Sequence, residues 1–278
     1  MIRIFADSST LYSPGEARQA GFTVAPLSVT IRNKTYREFD EILPEEFISL
    51  IDADHLPTSS QPSPGDVLEL YEQYPGDTII NIAMADGLSG TYASAAAAAG
   101  MCEGGQDITV LNSRTLCGPH RYLVENAVRM AQAGAGAAEI LQRTKELIET
   151  SKSFLIPSDF GYLRRGGRLS PLVSYVGAAV RFAPLMTQTP DGTRLTLAGV
   201  KRNFLHAAEA AAHTFQAMGV NADWRLYITH AGAPKFAGQA RRLFGALFPQ
   251  TPVEILPLSP VFITHGGPGC VALQAIHA

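Results

Sequence analysis

Short apolar runs that end in loops rich in Ser, Thr or Gly, each followed by a stretch of helical periodicity, recur along this chain. Parallel strands cannot be joined by tight turns and need crossover helices, so this alternation is the signature of a layered α/β fold. Residues 2–6 read as a strand that ends at Asp7, residues 78–84 (TIINIAM) as a second, and residues 108–111 as a third. The helices between them carry start signals. Pro44 suits a first helical position, Glu45 and Glu46 suit the positive end of the dipole, and Phe47 with Ile51 forms one apolar face. Ser63-Pro64-Gly65-Asp66 is a comparable start. Ile140, Leu141, Thr144, Leu147 and Ile148 mark an amphipathic helix that closes a first domain.

With 278 residues, 46% of them hydrophobic, the chain can bury two ordinary cores, and two domains are expected. The boundary is placed near residue 157. An N-terminal α/β domain, 1–157, carries the TSSQPS and GLSGT loops; a C-terminal one, 158–278, carries the basic RRGGR loop and the HGGPG turn. Beyond a strand at 154–157, Ser170-Pro171 opens an apolar helix through Tyr175 to Val180, and residues 185–197 read as a hairpin around Asp191-Gly192. A helix at 204–218, a strand at 225–229, a helix at 234–247 and closing strands at 253–256 and 270–276 complete a second α/β layer.

Charge and composition exclude several functions. A net charge of -3 gives no footprint for a phosphate backbone, so nucleic acid is not an expected partner. No run approaches the roughly 18 apolar residues of a membrane span, and the apolar start soon meets Asp7, which fits a buried strand better than a signal peptide. The three cysteines, Cys102, Cys117 and Cys270, show no ligand spacing, and a reduced cytoplasm is the simplest compartment. The histidines have no carboxylate completing a metal set, so no metal is expected. No helix shows a sustained heptad pattern, and a monomer is the default.

The sharpest local feature is Asp86-Gly87-Leu88-Ser89-Gly90-Thr91-Tyr92, between the TIINIAM run and an alanine-rich segment. Free N–H groups at a helix start, the positive dipole end and the hydroxyls of Ser89 and Thr91 form a seat for a carboxylate or phosphate. The same two residues equally suit plain helix capping. Thr58-Ser59-Ser60-Gln61-Pro62-Ser63 reads as a capped loop with a hydroxyl cluster, and Thr264-His265-Gly266-Gly267-Pro268-Gly269 sets an imidazole before a glycine-rich turn and the last strand. Arg164, Arg165 and Arg168 concentrate guanidinium groups suited to an anion or an acidic protein surface, or simply to water.

Taken in order, Asp7-Ser8-Ser9, Pro26-Leu27-Ser28-Val29, the 58–65 string, Gly87-Leu88-Ser89-Gly90-Thr91-Tyr92, Arg165-Gly166-Gly167-Arg168-Leu169-Ser170 and His265-Gly266-Gly267-Pro268-Gly269 resemble the DegV family of bacterial lipid-binding proteins almost end to end. The resemblance implies two α/β domains, each a mainly parallel sheet flanked by helices, with one long-chain fatty acid such as palmitate, stearate or oleate between them. The implied carboxylate contacts are Thr58 and Ser89. Ser59 is the alternative to Thr58 because this chain has an extra serine, Gly90 and Thr91 add donors, and His265 supports the network. The resemblance further implies a non-catalytic carrier without a cofactor that presents the acid to a separate fatty-acid kinase. Arg168 and Arg165 are the implied docking residues, with a second basic position at Lys201 or Arg202. Ala85-Asp86-Gly87 and Arg181-Phe182-Ala183-Pro184 depart from the family strings. The competing reading is a serine-dependent acyl hydrolase or transferase using Ser89 and His265. Against it, Gly87-Leu88-Ser89-Gly90 lacks the GxSxG spacing and no acid is tied by spacing to His265; a small-molecule kinase or phosphate-binding enzyme is a third reading, against which GxxxxGK[ST] is absent.

Overall fold

In the computed structural model the described residues are 1–171 and 182–278. The helix expected through Tyr175 to Val180, and Arg181, lie outside them. The chain opens with β1 (Ile2–Asp7), α1 (Pro14–Ala20) and β2 (Thr23–Ala25), followed by β3 (Ser28–Ile31), β4 (Lys34–Arg37), α2 (Pro44–Leu50) and β5 (Thr58–Ser60). It continues through α3 (Pro64–Tyr71), β6 (Thr78–Ala83), α4 (Thr91–Met101), β7 (Asp107–Asn112), α5 (Cys117–Gln132) and α6 (Ala137–Ile148).

The first sheet has the order β2-β1-β6-β7 and is parallel throughout, as the alternation predicts. Ile4, Phe5 and Ala6 of β1 and Ile79 to Ala83 of β6 are all buried or nearly so, because helices cover both faces of the sheet. The carboxyl ends of β1 and β6 open at Asp7 and at the GLSGT loop, where open parallel sheets place their ligands. The helix starts behave as expected. Ser63 and Asp66 form a reciprocal capping box on α3, and Pro44 opens α2. In α6, Ile140, Thr144, Leu147 and Ile148 are buried and Leu141 is half-buried.

Several elements have no counterpart in the sequence reading, and one of them bears on the site. Residues 58–60 form not a loop but a strand, β5, and β4-β3-β5 is a small antiparallel sheet with the register Ser28↔Ser60, Val29↔Ser59 and Thr30↔Thr58. Ser and Thr are common in turns, and only pairing with β3 makes this segment extended.

The rest of the chain comprises β8 (Lys152–Ile156), α7 (Phe160–Arg165), β9 (Ala183–Gln188), β10 (Leu195–Lys201), α8 (Phe204–Ala217) and β11 (Trp224–His230). It ends with α9 (Pro234–Leu247), β12 (Val253–Pro257), α10 (Pro260–Gly266) and β13 (Val271–His277). These strands form a second sheet in the order β10-β9-β8-β13-β11-β12. The expectation that it is mainly parallel is corrected by its pairings, since only β11 and β12 run parallel. The reason is the insertion of β13 between β8 and β11, antiparallel to both, together with the tight β9–β10 hairpin at Asp191-Gly192. β8 precedes the expected boundary at 157 yet pairs in this sheet, so a division by sheets falls ahead of Lys152.

β13 organises the interior. Val271, Leu273 and Ala275 pack with Phe215 of α8 and Phe244 of α9 in the core of the second sheet. The alternate residues Ala272 and Gln274, with Cys270 just ahead of the strand, face a cavity toward the first sheet. Tyr227 and Ile276 also join the core beneath β1 and β6, so the two sheets share apolar packing.

Candidate functional site

The cavity lies between the sheets, with Leu27, Met84, Leu88, Leu155, Phe262 and Cys270 among its walls, and encloses about 970 Å³ of empty space, its open mouth included. Ser59, Ser89, Arg168 and His265 also line it, drawn from segments far apart in sequence. An apolar enclosure with a few convergent polar groups is the usual construction of a small-molecule site.

Ser89 sits where β6 turns into α4, and its Oγ lies 2.7 Å from Thr91 Oγ1 and accepts from the Thr91 N–H at 3.3 Å. Ser89 thus satisfies a helix-start donor and lines the cavity as well. Gly90 is the cap residue; neither it nor the buried Thr91 is part of the wall. The loop's glycines are required by close approach. A Cβ on Gly87 would sit 2.1 Å from Thr193 Cα at the tip of the β9–β10 hairpin, and one on Gly90 would meet the Gln61 amide at 2.5 Å. Asp86 is exposed and does not line the cavity, and no Asp or Glu does among the described residues.

Strand alternation separates Thr58 from Ser59. Ser59 lies opposite the fully buried Val29 and shares its face, whereas Thr58 lies opposite Thr30 on the other face and is exposed. Ser59 Oγ is 2.8 Å from His265 Nε2. Thr58 borders an adjoining outer pocket with Arg165 and Tyr162, which Ser59, Arg168 and His265 also line.

His265 is on the last turn of α10 and not at a strand end. Burial, reinforced by the charge of Arg168, lowers its pKa to about 4, so the ring is neutral at neutral pH. Its Nδ1 is buried, meets no well-formed hydrogen-bond partner among the described residues, and lies beside the Gly166 backbone, which favours the protonated ring. The helix that carries it is held from beneath by Glu38, a residue the sequence reading missed. Glu38 Oε2 accepts from the Val261 N–H at 2.9 Å and Oε1 accepts from Ser8 Oγ at 2.6 Å, with the side chain fully buried. Desolvation raises its pKa to about 7 despite those donors. Nothing in Arg37-Glu38-Phe39 distinguishes it from a surface glutamate.

Arg168 Nη1 donates to Gly166 O at 2.8 Å and Nε to Leu88 O at 3.4 Å, which turns the guanidinium toward the GLSGT loop and the cavity mouth. Burial, then the charge of Arg194, lowers its pKa from the usual arginine value. Arg165 is exposed, its guanidinium 5.2 Å from the Tyr162 ring centroid. Lys201 and Arg202 belong to a different place. The Leu195 N–H donates to Arg168 O, and Lys201 is six residues further along β10, about 20 Å at roughly 3.3 Å per residue.

The Asp7-Ser8-Ser9 string is sealed inside the protein. Asp7 Oδ2 accepts from the Met84 N–H at 2.8 Å, and Ser9 Oγ lies 2.6 Å from Nδ1 of the fully buried His120, whose Nε2 is 2.8 Å from Ile82 O. Among the described residues no group of His, Cys, Asp and Glu is placed to hold a metal ion, and no helix is long and apolar enough to cross a membrane.

Comparison with known proteins places these features in one family. The chain is 30% identical over 276 residues to the DegV domain-containing protein YejH of Lactococcus lactis, covering 98% of each. Its fold matches the crystal structure of DegV, a fatty acid binding protein from Bacillus subtilis, with TM-score 0.88 and 25% identity over 100% of this chain and 99% of that one. A DegV family protein from Thermus thermophilus, described for its fatty acid binding, matches with TM-score 0.89, 25% identity and the same coverage. The model of the DegV family, whose members it describes as uncharacterised, matches residues 1–278, and the chain therefore belongs to the DegV family.

Proposed function

We propose that this protein binds a long-chain fatty acid, its carboxylate against Ser59 and Ser89 and its acyl chain in the cavity between the sheets. The observation that carries this reading is the convergence of two hydroxyls, a neutral imidazole and one half-buried guanidinium at the mouth of an otherwise largely apolar cavity free of acidic side chains. Hydroxyl donors hold a carboxylate without a fully buried ion pair, and Arg168 supplies long-range attraction from the rim. The solved relatives described as fatty acid binding proteins support the assignment.

The protein is further proposed to carry the acid without transforming it and to present it to a partner such as a fatty-acid kinase, with Arg165 and the rim residue Arg168 meeting that partner. The arrangement disfavours the serine-enzyme reading. His265 Nε2 faces Ser59 and not Ser89, no carboxylate orients Nδ1, and an imidazole with a pKa of about 4 is a weak general base near neutral pH.

The test is solvent extraction of the purified protein followed by mass spectrometry, in parallel with Ser89→Ala. One long-chain acid per chain, diminished in the variant, is the expected result. A protein that carries no lipid and takes up none when offered overturns the reading.

A further inference from the structure

The cavity wall changes character along its length. On β13 the row Cys270, Ala272, Gln274 faces the cavity, and on β8 Leu155 and Ser153 lie opposite Ala272 and Gln274. The part nearest His265 is apolar: a Cβ on Gly266 would touch Cys270 Sγ, and Leu155 and Ala272 follow. From Cys270 to Gln274 is four residues, about 13 Å at roughly 3.3 Å per residue. There the wall becomes polar, with Ser153, Gln274 and, from β9, Thr187 and Gln188. A hydrocarbon terminus is best met by hydrocarbon, and polar groups placed against it lose hydration without compensation.

These side chains are held in place by their own bonds, which leave specific capacity unused. Gln274 Nε2 donates to Leu116 O at 3.0 Å and to Ser153 Oγ at 2.8 Å, and its Oε1 accepts from the Gly118 N–H at 3.2 Å. Thr187 Oγ1 donates to Ser153 O at 2.9 Å, and Gln188 Nε2 donates to Arg114 O at 3.0 Å. Among the described residues the hydroxyl proton of Ser153 and Oε1 of Gln188 have no partner. One donor and one acceptor are what a ligand hydroxyl needs. Ser153, Thr187 and Gln188 also line a polar outer pocket with Lys152 and Gly192, so this end of the cavity borders a hydrated space.

We infer that the preferred ligand is an oxygenated acyl chain, a fatty acid bearing a hydroxyl at its distal end that hydrogen-bonds to Ser153 and Gln188. The inference rests on the fatty-acid reading above and specifies its ligand class.

The test is a direct binding titration of wild type, Ser153→Ala and Ser153→Thr with saturated fatty acids and their ω-hydroxy counterparts, matched over a range of chain lengths. At the length that reaches the polar layer, wild type is expected to favour the ω-hydroxy acid by about tenfold. Ser153→Ala is expected to lose that preference, and Ser153→Thr, which retains a hydroxyl, to keep it. Parent acids bound at least as tightly as ω-hydroxy acids at every length overturn this inference alone. Failure of both series to bind overturns the fatty-acid reading with it.

Discussion

Two places in this protein bring a serine against a histidine, and they differ in almost everything else. Ser59 and His265 meet at 2.8 Å on the wall of a cavity, with Nδ1 beside the Gly166 backbone and an arginine at the rim. Ser9 and His120 meet at 2.6 Å with Asp7 close by, but every atom is sealed and both ring nitrogens are occupied, by Ser9 and by the carbonyl of Ile82. The second has the residue types of a catalytic triad and no route for a substrate; the first has access and lacks the acid. Residue types alone do not make a site, and access together with unspent hydrogen-bonding capacity does.

If the sealed cluster is a structural tie and the open pair a binding device, mutations should divide cleanly between them. The largest effect is expected at Glu38, which links Ser8 of the sealed string to the helix bearing His265. Glu38→Ala strips an acceptor from two buried donors and should cost about 3 kcal/mol of stability or more in denaturant titrations. A loss below about 1 kcal/mol would show that the tie is not structural.

Titration gives the next contrast. His265 takes up its proton near pH 4 in the folded protein and near 6.5 when unfolded, so its contribution is complete above 6.5 and is lost as pH falls toward 4. Glu38 has the opposite sign. Its folded pKa of about 7 exceeds the usual 4.5, so its contribution is complete below 4.5 and lost as pH rises through 7. The two contributions nearly offset each other in the wild type, so His265→Asn should unmask a decline of stability with rising pH and Glu38→Gln a rise, each by roughly 3 kcal/mol across that window. Parallel pH curves for the two variants would remove both assignments.

At the open pair, Ser89→Ala and Ser59→Ala should each weaken fatty-acid binding about tenfold while changing stability by no more than about 0.5 kcal/mol. Equal losses of stability and binding would make these serines structural as well. The smallest effect belongs to Thr58→Ala, expected to change the dissociation constant less than about threefold, since Thr58 faces away from the cavity. A loss matching that of Ser59→Ala would reverse the assignment between neighbours.

Much of this was legible in the residues. The strands at 78–84 and 108–111, the helix starts at Pro44 and Ser63, the α6 stripe and the hairpin around Asp191-Gly192 all appear where periodicity and start signals place them. The GLSGT loop stands at a strand end and contributes Ser89 to the cavity. Glu38 was illegible because its importance comes from Ser8 and Val261, which lie 30 and 223 positions away. His265 was visible as a residue but not as part of a helix, since Pro260–Gly266 is too short to show a period.

The sequence by itself therefore determined many of the local elements, because capping, turn chemistry and alternating hydrophobicity act over a few residues, while the family was carried by the resemblance of its ordered motif strings. Tertiary structure alone decided that β13 runs against β8 and β11, that β8 joins the second sheet, and that residues 58–60 are extended. It also set Ser59 and not Thr58 in the cavity wall beside His265, turned Arg168 toward the cavity and set a polar layer at its distal end. The physical reason is that strand direction, register and burial are settled by partners distant in the chain, and a single step of register exchanges the two faces of a strand.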